Sequence, residues 1–185
     1  MKTNNSIQLI SPSPFVEVHL SDGRTLRGAR GSTAEEFLQY DPQNLRAPIV
    51  AAIVNNDLRE LHYPINAESH IRPVTTDTAD GARIYRRSLT FLLECAFHQL
   101  FPEGTLNIDH SVGSGGYYCQ VEGREMLSAE ELTRLNERMQ AEVTRDTAFI
   151  RQEIPLEQAI QHFEKMGFRD KLRLLAHRKK DYLNV

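Results

Sequence analysis

Two rhythms of apolar and polar residues divide the chain. Phe15-Val16-Glu17-Val18-His19-Leu20 alternates in character, and residues 25–28 resume an extended pattern after Ser21-Asp22-Gly23-Arg24. A period of two predicts half-buried strands, and the Asp-Gly between them predicts a hairpin turn. Thr33 followed by Glu36 forms a capping-box signature for a short helix carrying Phe37 and Leu38, which Pro42 limits. After Pro48 the run Ile-Val-Ala-Ala-Ile-Val at 49–54 has no alternation, so it predicts a strand buried on both faces. Asn55-Asn56-Asp57 turns the chain, 58–63 suits a further strand, and 70–74 closes the sheet.

The second rhythm has the helical period. Residues 82–101 predict one long helix with Ile84, Ser88, Phe91, Leu92, Cys95 and Ala96 on a buried stripe, stopped by Pro102. Residues 105–108 and 117–121 predict strands around the loop Gly113-Ser114-Gly115-Gly116. A second capping box, Ser128 with Glu131, opens a helix to about residue 145 with Leu132, Leu135, Met139 and Val143 at helical spacing. Residues 149–154 are a strand candidate. Pro155 then starts a helix with Ala159, Ile160 and Phe163 inward, ending at Gly167, and another begins near Asp170. Residues 1–14, rich in Ser, Asn and Pro, predict a flexible leader. The polar stretch 75–81 is the expected boundary between domains at 15–77 and 78–185.

Composition narrows the function classes. With 185 residues, 40% hydrophobic and 25% charged, the chain has material for one large or two small globular domains. A net charge of −3, with no basic run longer than Arg178-Lys179-Lys180, argues against a whole-protein electrostatic funnel for nucleic acid but leaves room for a local basic face. The two cysteines, Cys95 and Cys119, have neither disulfide-framework nor zinc-ribbon spacing. No run of eighteen apolar residues appears, so the sequence predicts a cytoplasmic protein without a membrane partner. Gly28-Ala29-Arg30-Gly31-Ser32-Thr33 lacks the lysine and spacing of a phosphate-binding loop and reads as a strand-to-helix turn.

Two strands, a helix and three strands is the order of a β-grasp fold. Residues 15–77 resemble a TGS domain through the apolar strand, the Asn-rich turn and Leu58-Arg59-Glu60-Leu61-His62-Tyr63-Pro64-Ile65. Residues 78–185 resemble the editing region that follows TGS in threonyl-tRNA synthetases, the second additional domain shared with alanyl-tRNA synthetases. The matching residues are the helix at 84–102, Gly115-Gly116-Tyr117-Tyr118, Leu127-Ser128-Ala129-Glu130-Glu131-Leu132 and Arg138-Met139. The implied fold class is α+β, a β-grasp domain followed by an α+β editing-like domain truncated at its C-terminus.

The resemblance also implies an HxxxH pair on the long helix, where two imidazoles one turn apart hold zinc or activate water. Aligning on Ser88 and Pro102 puts those positions at Arg87 and Phe91, neither of which can give a lone pair to a metal. The family's CxxxH pair would fall beyond Val185. The expectation is therefore no metal and no catalytic residue in this chain. TGS joined to a degenerate editing-like domain, with Arg86-Arg87-Ser88-Leu89 and Gly116-Tyr117-Tyr118-Cys119, is similar to the N-terminal half of bacterial uridine-kinase-like proteins. That similarity implies a non-catalytic regulatory, nucleotide- or RNA-binding region, whose partner is a downstream kinase domain using ATP and Mg. The alternatives are the N-terminal TGS/editing region of a threonyl-tRNA synthetase acting on mischarged tRNA, and a freestanding RNA-binding module.

Seven residues are ligand- or RNA-binding candidates, each with a plainer reading. Arg86 and Arg87, with Arg83, form a basic turn that suits phosphate, or a solvated helix end. His98 lines the vestigial pocket, or pairs with Glu94 one turn away on the helix surface. His110 and Cys119 flank a cleft if their strands are adjacent, or are a loop residue and a small buried hydrophobe. Tyr117 and Tyr118 match tyrosines bordering the family's pocket, and alternation sends one to the pocket and the other to the core. Arg173, Arg178, Lys179 and Lys180 contact RNA or flank a helix.

Overall fold

The computed structural model of the protein describes residues 11–40, 47–113 and 115–185, in two units, Met1–Leu135 and Asn136–Val185. Most of the leader, the stop at Pro42 and Ser114 lie outside the described residues. Val16, Val18 and Leu20 are buried along one side of β1 (Phe15–Leu20), which pairs antiparallel with β2 (Thr25–Ala29). The turn is fixed by Asp22, whose Oδ1 accepts from Arg24 N at 3.0 Å, and by Gly23, whose φ of 89° a side chain would resist. Those contacts with Arg24 hold the Asp22 carboxyl below the usual aspartate range. α1 (Ala34–Leu38) begins at the expected capping box, Thr33 Oγ1 accepting from Glu36 N and Glu36 Oε2 accepting from Thr33 N.

β3 (Ile49–Val54) is the central element of the first unit. It pairs antiparallel with β4 (Asp57–Arg59) and with β5 (Ser69–Thr75), and β5 runs parallel to β1, giving the order β2-β1-β5-β3-β4. Alternation splits β3 between two cores. Ala52 and Val54 join Val16, Val18, Phe37, Leu38, Ile65 and Ile71 on the α1 side, whereas Ala51 and Ile53 join Val74 and meet Ile84 on the other. A strand lined on both sides needs a continuous apolar run, as the sequence predicts.

The strand expected over 58–63 is shorter than predicted. β4 ends at Arg59, because the next carbonyls turn away from the sheet to satisfy the start of α1: Glu35 N donates to Leu61 O at 3.0 Å and Ala34 N to Tyr63 O at 2.9 Å. Asn55 and Asn56, with φ of 50° and 71°, form the left-handed two-residue turn between β3 and β4. Asn55 also ties that turn to β5, accepting from His70 N at 2.8 Å and donating to Ser69 Oγ at 3.3 Å.

α2 (Ala79–Leu100) starts three residues before its predicted position, because Thr78 is its N-cap and accepts from Gly81 N at 3.1 Å. β6 (Thr105–Ser111) and β7 (Tyr117–Glu122) form an antiparallel hairpin, and α3 (Ala129–Thr144) opens at Ser128 as expected. Of the apolar residues expected on α3's inner face, Leu135 is buried but Leu132 and Val143 are exposed. In the second unit, α4 (Leu156–Met166) ends at Gly167 in the left-handed conformation and α5 (Arg169–Leu175) follows. The strand predicted over 149–154 reduces to β8 (Glu153–Pro155), which pairs with a strand the sequence did not announce, β9 (Tyr182–Asn184). Ala159 is fully buried, and Ile160 and Phe163 are partly so. Among the described residues, no helix is long and apolar enough to cross a membrane.

Gly81 is the tightest joint between sheet and helix. A Cβ there would lie 1.9 Å from the Thr75 carbonyl oxygen. Helix propensity alone would make Gly81→Ala stabilising by about 1 kcal/mol. The backbone clash reverses the sign, and we expect a loss of about 1–3 kcal/mol, read as a lower urea midpoint at unchanged m-value. An equal or higher midpoint would mean that the 75–81 turn yields freely.

Candidate functional site

The candidate site residues lie on α2 and on the β6–β7 hairpin. α2 serves two packing partners along its length. Near its start Ile84 meets the sheet, while near its end Ala96, Phe97 and the C-cap Phe101 are buried, with the two phenylalanine rings 5.3 Å apart. The inward stripe therefore rotates along the helix. It leaves Phe91 and Cys95, expected on that stripe, exposed, and takes in Phe97 instead. Arg83 lies 3.5 Å from Asp80, and Tyr85, Arg86 and Arg87 are exposed beyond it. Arg87 and Phe91, the positions aligned with the HxxxH pair, are thus both on the surface. His98 is half-buried toward the helix end.

The hairpin brings four further candidates onto adjacent strands. Ile108 is paired with Cys119 and Leu106 with Val121, and these four half-buried residues share one face. Burial pushes the Cys119 thiol up from its ordinary pKa, so the side chain behaves as a protonated small hydrophobe rather than a thiolate. On the opposite face the rings of His110 and Tyr118 stack at 5.4 Å and 29°, and His110 Nδ1 lies 3.2 Å from Asp109 Oδ2. His110 and Cys119 consequently do not line one cleft, because consecutive residues Tyr118 and Cys119 point to opposite faces. Neither tyrosine enters a core: Tyr117 is 39% exposed and Tyr118 47%. Both sit at the distal end of a two-stranded ribbon, where water reaches either face. Among the described residues, no group of three or more His, Cys, Asp or Glu side chains is gathered as a metal site.

The hairpin is held by a residue that pattern reading passed over. Arg124 reaches Glu103 at 3.0 Å and Glu131 at 2.5 Å, and its guanidinium lies 4.4 Å from the centre of the Phe101 ring. Gly104 leaves space for it, since a Cβ there would meet Arg124 Cδ at 2.9 Å. Arg124 therefore links the end of α2, the hairpin and the first turn of α3. Hydrogen bonding to Arg124, then to the Ser128 N–H, lowers the Glu131 pKa. The sequence signal was the capping glutamate, which serves a cap and an ion pair at once. In the second unit, Arg178 donates through Nε and Nη2 to Tyr182 O at 3.2 and 3.0 Å, so it braces β9, whereas Arg173, Lys179 and Lys180 are exposed.

Similarity to known proteins supplies the context this geometry lacks. The chain is 28% identical over 162 residues to a threonine-tRNA ligase of Desulforamulus reducens, covering 88% of this chain and 25% of that protein. It resembles threonine-tRNA ligases. The ligase 1 of Bacillus subtilis is 26% identical over 163 residues, and that of Rubrobacter xylanophilus is 31% identical over 143 residues, which is 77% of this chain and 22% of the ligase. The chain spans about a quarter of the length of these curated relatives. No protein-family model matches it. The expected nucleoside-kinase parent and kinase-domain partner find no support in these relatives, which favour the synthetase alternative.

The Arg124–Glu131 link makes a pH prediction. Glu131 has its pKa lowered on folding, so its stabilising contribution is complete above the unfolded glutamate value and is lost as pH falls through the folded one. Unfolding midpoints measured from neutral to acid pH should therefore fall less steeply in Glu131→Gln than in the parent chain. Parallel pH profiles would remove Glu131 from the linkage.

Proposed function

We propose that the chain corresponds to the N-terminal TGS and editing-like region of a threonyl-tRNA synthetase-like protein, and that it contributes RNA contacts without hydrolysing mischarged tRNA through its own long helix. The observation that carries this reading is the similarity to threonine-tRNA ligases across 88% of the chain. The strand order β2-β1-β5-β3-β4, with α1 between β2 and β3, supports a β-grasp domain of TGS type at 15–77. The division at 77/78 belongs to the same proposal. There Thr75, Asp77 and Thr78 hydrogen-bond into a tight turn that ends the sheet and caps α2.

The proposed RNA surface is the outward side of the first turns of α2. Arg86 and Arg87 are exposed there, as is Tyr85, so two guanidinium forks and an aromatic ring are open to solvent on this stretch of the helix. An arginine at 87 and a phenylalanine at 91 replace groups that would bind a metal or polarise water with groups that bind phosphate and cover apolar surface. The chemistry available at this helix is anion recognition. On the hairpin, the His110–Tyr118 stack supplies an exposed platform of the kind on which bases stack.

Filter binding or anisotropy with threonine tRNA tests the reading. The parent chain should bind with steep salt dependence. Changing Arg86 and Arg87 together to alanine should weaken binding about tenfold or more near 100 mM salt and reduce the log-log salt slope by about 1–2. In parallel, serine esterified to that tRNA should stay attached in the presence of the chain at the uncatalysed rate. Binding indifferent to both arginines, or rapid release of serine, would overturn the proposal.

A further inference from the structure

The first unit contains a second feature that none of the candidate residues touches. Between the β3–β4 turn and the segment leading into β5 lies a cleft of about 180 Å³, floored by Val54 and Ile65 and edged by Asn55, Asp57, Arg59, Tyr63, Asn66 and Ser69. Its residues divide by what the fold asks of them. Asn55 and Ser69 are committed to each other and to the backbone, Asn55 accepting from His70 N and Ser69 Oγ donating to Ala67 O. Arg59, Tyr63, Asp57 and Asn66 form the open part. Arg59 Nη2 donates to Asp57 Oδ2 at 2.8 Å, and its guanidinium lies 4.9 Å from the centre of the Tyr63 ring. The Tyr63 ring is 37% exposed, although its backbone is anchored through Ala34 N and Glu60 O.

We infer that this cleft docks a single unpaired nucleobase carrying an exocyclic amino group. The Arg59–Tyr63 pair brings a guanidinium and an aromatic ring together in a cation–π contact, and flat heteroaromatic rings stack on either group whichever base they belong to. The cleft is smaller than the 300–1,000 Å³ or so of sites for drug-sized ligands, so it takes one planar ring with its sugar and phosphate left in water. Asp57 spends one oxygen on Arg59 and offers the other to an amino group at the ring edge, beside the Asn66 amide; uracil has no amino group to give. The charges of Asp57 and Arg59 offset each other, which makes the cleft a poor phosphate trap. The ligand class is therefore a neutral base, and binding is held by stacking rather than by counterion release.

The site is separate from the α2 surface proposed above, and its test can fail independently. The full chain, labelled with ¹⁵N, is titrated with a short single-stranded oligocytidine RNA and with oligouridine of equal length. Oligocytidine should shift the amide signals of residues 55–69 with midpoints about five- to tenfold lower than oligouridine, and those midpoints, unlike any read on α2, should change little between about 50 and 200 mM salt. Tyr63→Leu, which keeps apolar bulk but removes the π-face, should weaken oligocytidine binding about tenfold, while Tyr63→Phe retains it. Absence of shifts at 55–69, equal affinity for the two oligomers, or undiminished binding by Tyr63→Leu would overturn the assignment. Oligocytidine shifts confined to the first turns of α2 would likewise overturn it, placing the RNA on the α2 surface alone.

Discussion

The structure of the first unit depends on one strand that must satisfy two cores at once. In β3, Ala52 and Val54 are packed under α1, and Ala51 and Ile53 under the start of α2. Because side chains alternate with a period of two, a one-residue slip in register would exchange the two sets and place each against the wrong partners. Two features oppose that slip. The Asn55-Asn56 turn fixes where β3 ends and β4 begins, and Asn55 fastens the same point to β5. Small Ala51 and Ala52 sit beside larger Ile53 and Val54, which lets the helices approach the sheet closely. The close approach of Gly81 to Thr75 follows from that arrangement, since a helix starting directly after β5 has to pass over its last carbonyl.

A chain that places its long helix by such contacts can vary the helix's outer face freely. Positions 87 and 91 are both exposed. An exposed guanidinium at 87 sets surface chemistry without asking anything of the core. A fold does not fix its chemistry, which is why resemblance to threonine-tRNA ligases supports the proposed reading of RNA contact but not one of hydrolysis. The Arg124 network plays the complementary role. It is half-buried, ties three elements together, and leaves its arginine unavailable for a ligand.

Much of this was legible in the residues. The hairpin at 15–29, both capping boxes, the two-faced strand and the left-handed stop at Gly167 each follow from local rules involving turn geometry, orphan amides or alternation. What escaped depended on partners far away in sequence. β4 is short because Leu61 and Tyr63 carbonyls are required by α1, and no pattern within 58–63 records that demand. β9 exists because β8 is there to receive it. Phe91 and Phe97 are both one helical turn from plausible neighbours, and only the hairpin's position decides which is buried. Tyr118 and Cys119 lie on the strand expected at 117–121, but His110 lies on β6, which runs beyond the strand expected at 105–108, and the division of the three between two faces depends on the register.

The cleft beside Tyr63 shows why such a site is hard to read from sequence even when every residue in it is ordinary. Its polar groups come from a turn, a three-residue strand and an irregular segment, elements whose sequences are set mainly by geometry. Tyr63 is held in place for a structural reason, since its carbonyl completes the first turn of α1. That obligation falls on the backbone alone, and the ring's own contact is with the Arg59 guanidinium. A ring half-exposed beside a paired arginine is therefore not explained by the fold, whereas Asn55, Ser69 and Ile65 in the same cleft are. In a small domain, where most residues are fixed by packing or by backbone hydrogen bonds, a side chain that meets neither demand yet is positioned by both is where binding chemistry can be added at little cost to stability.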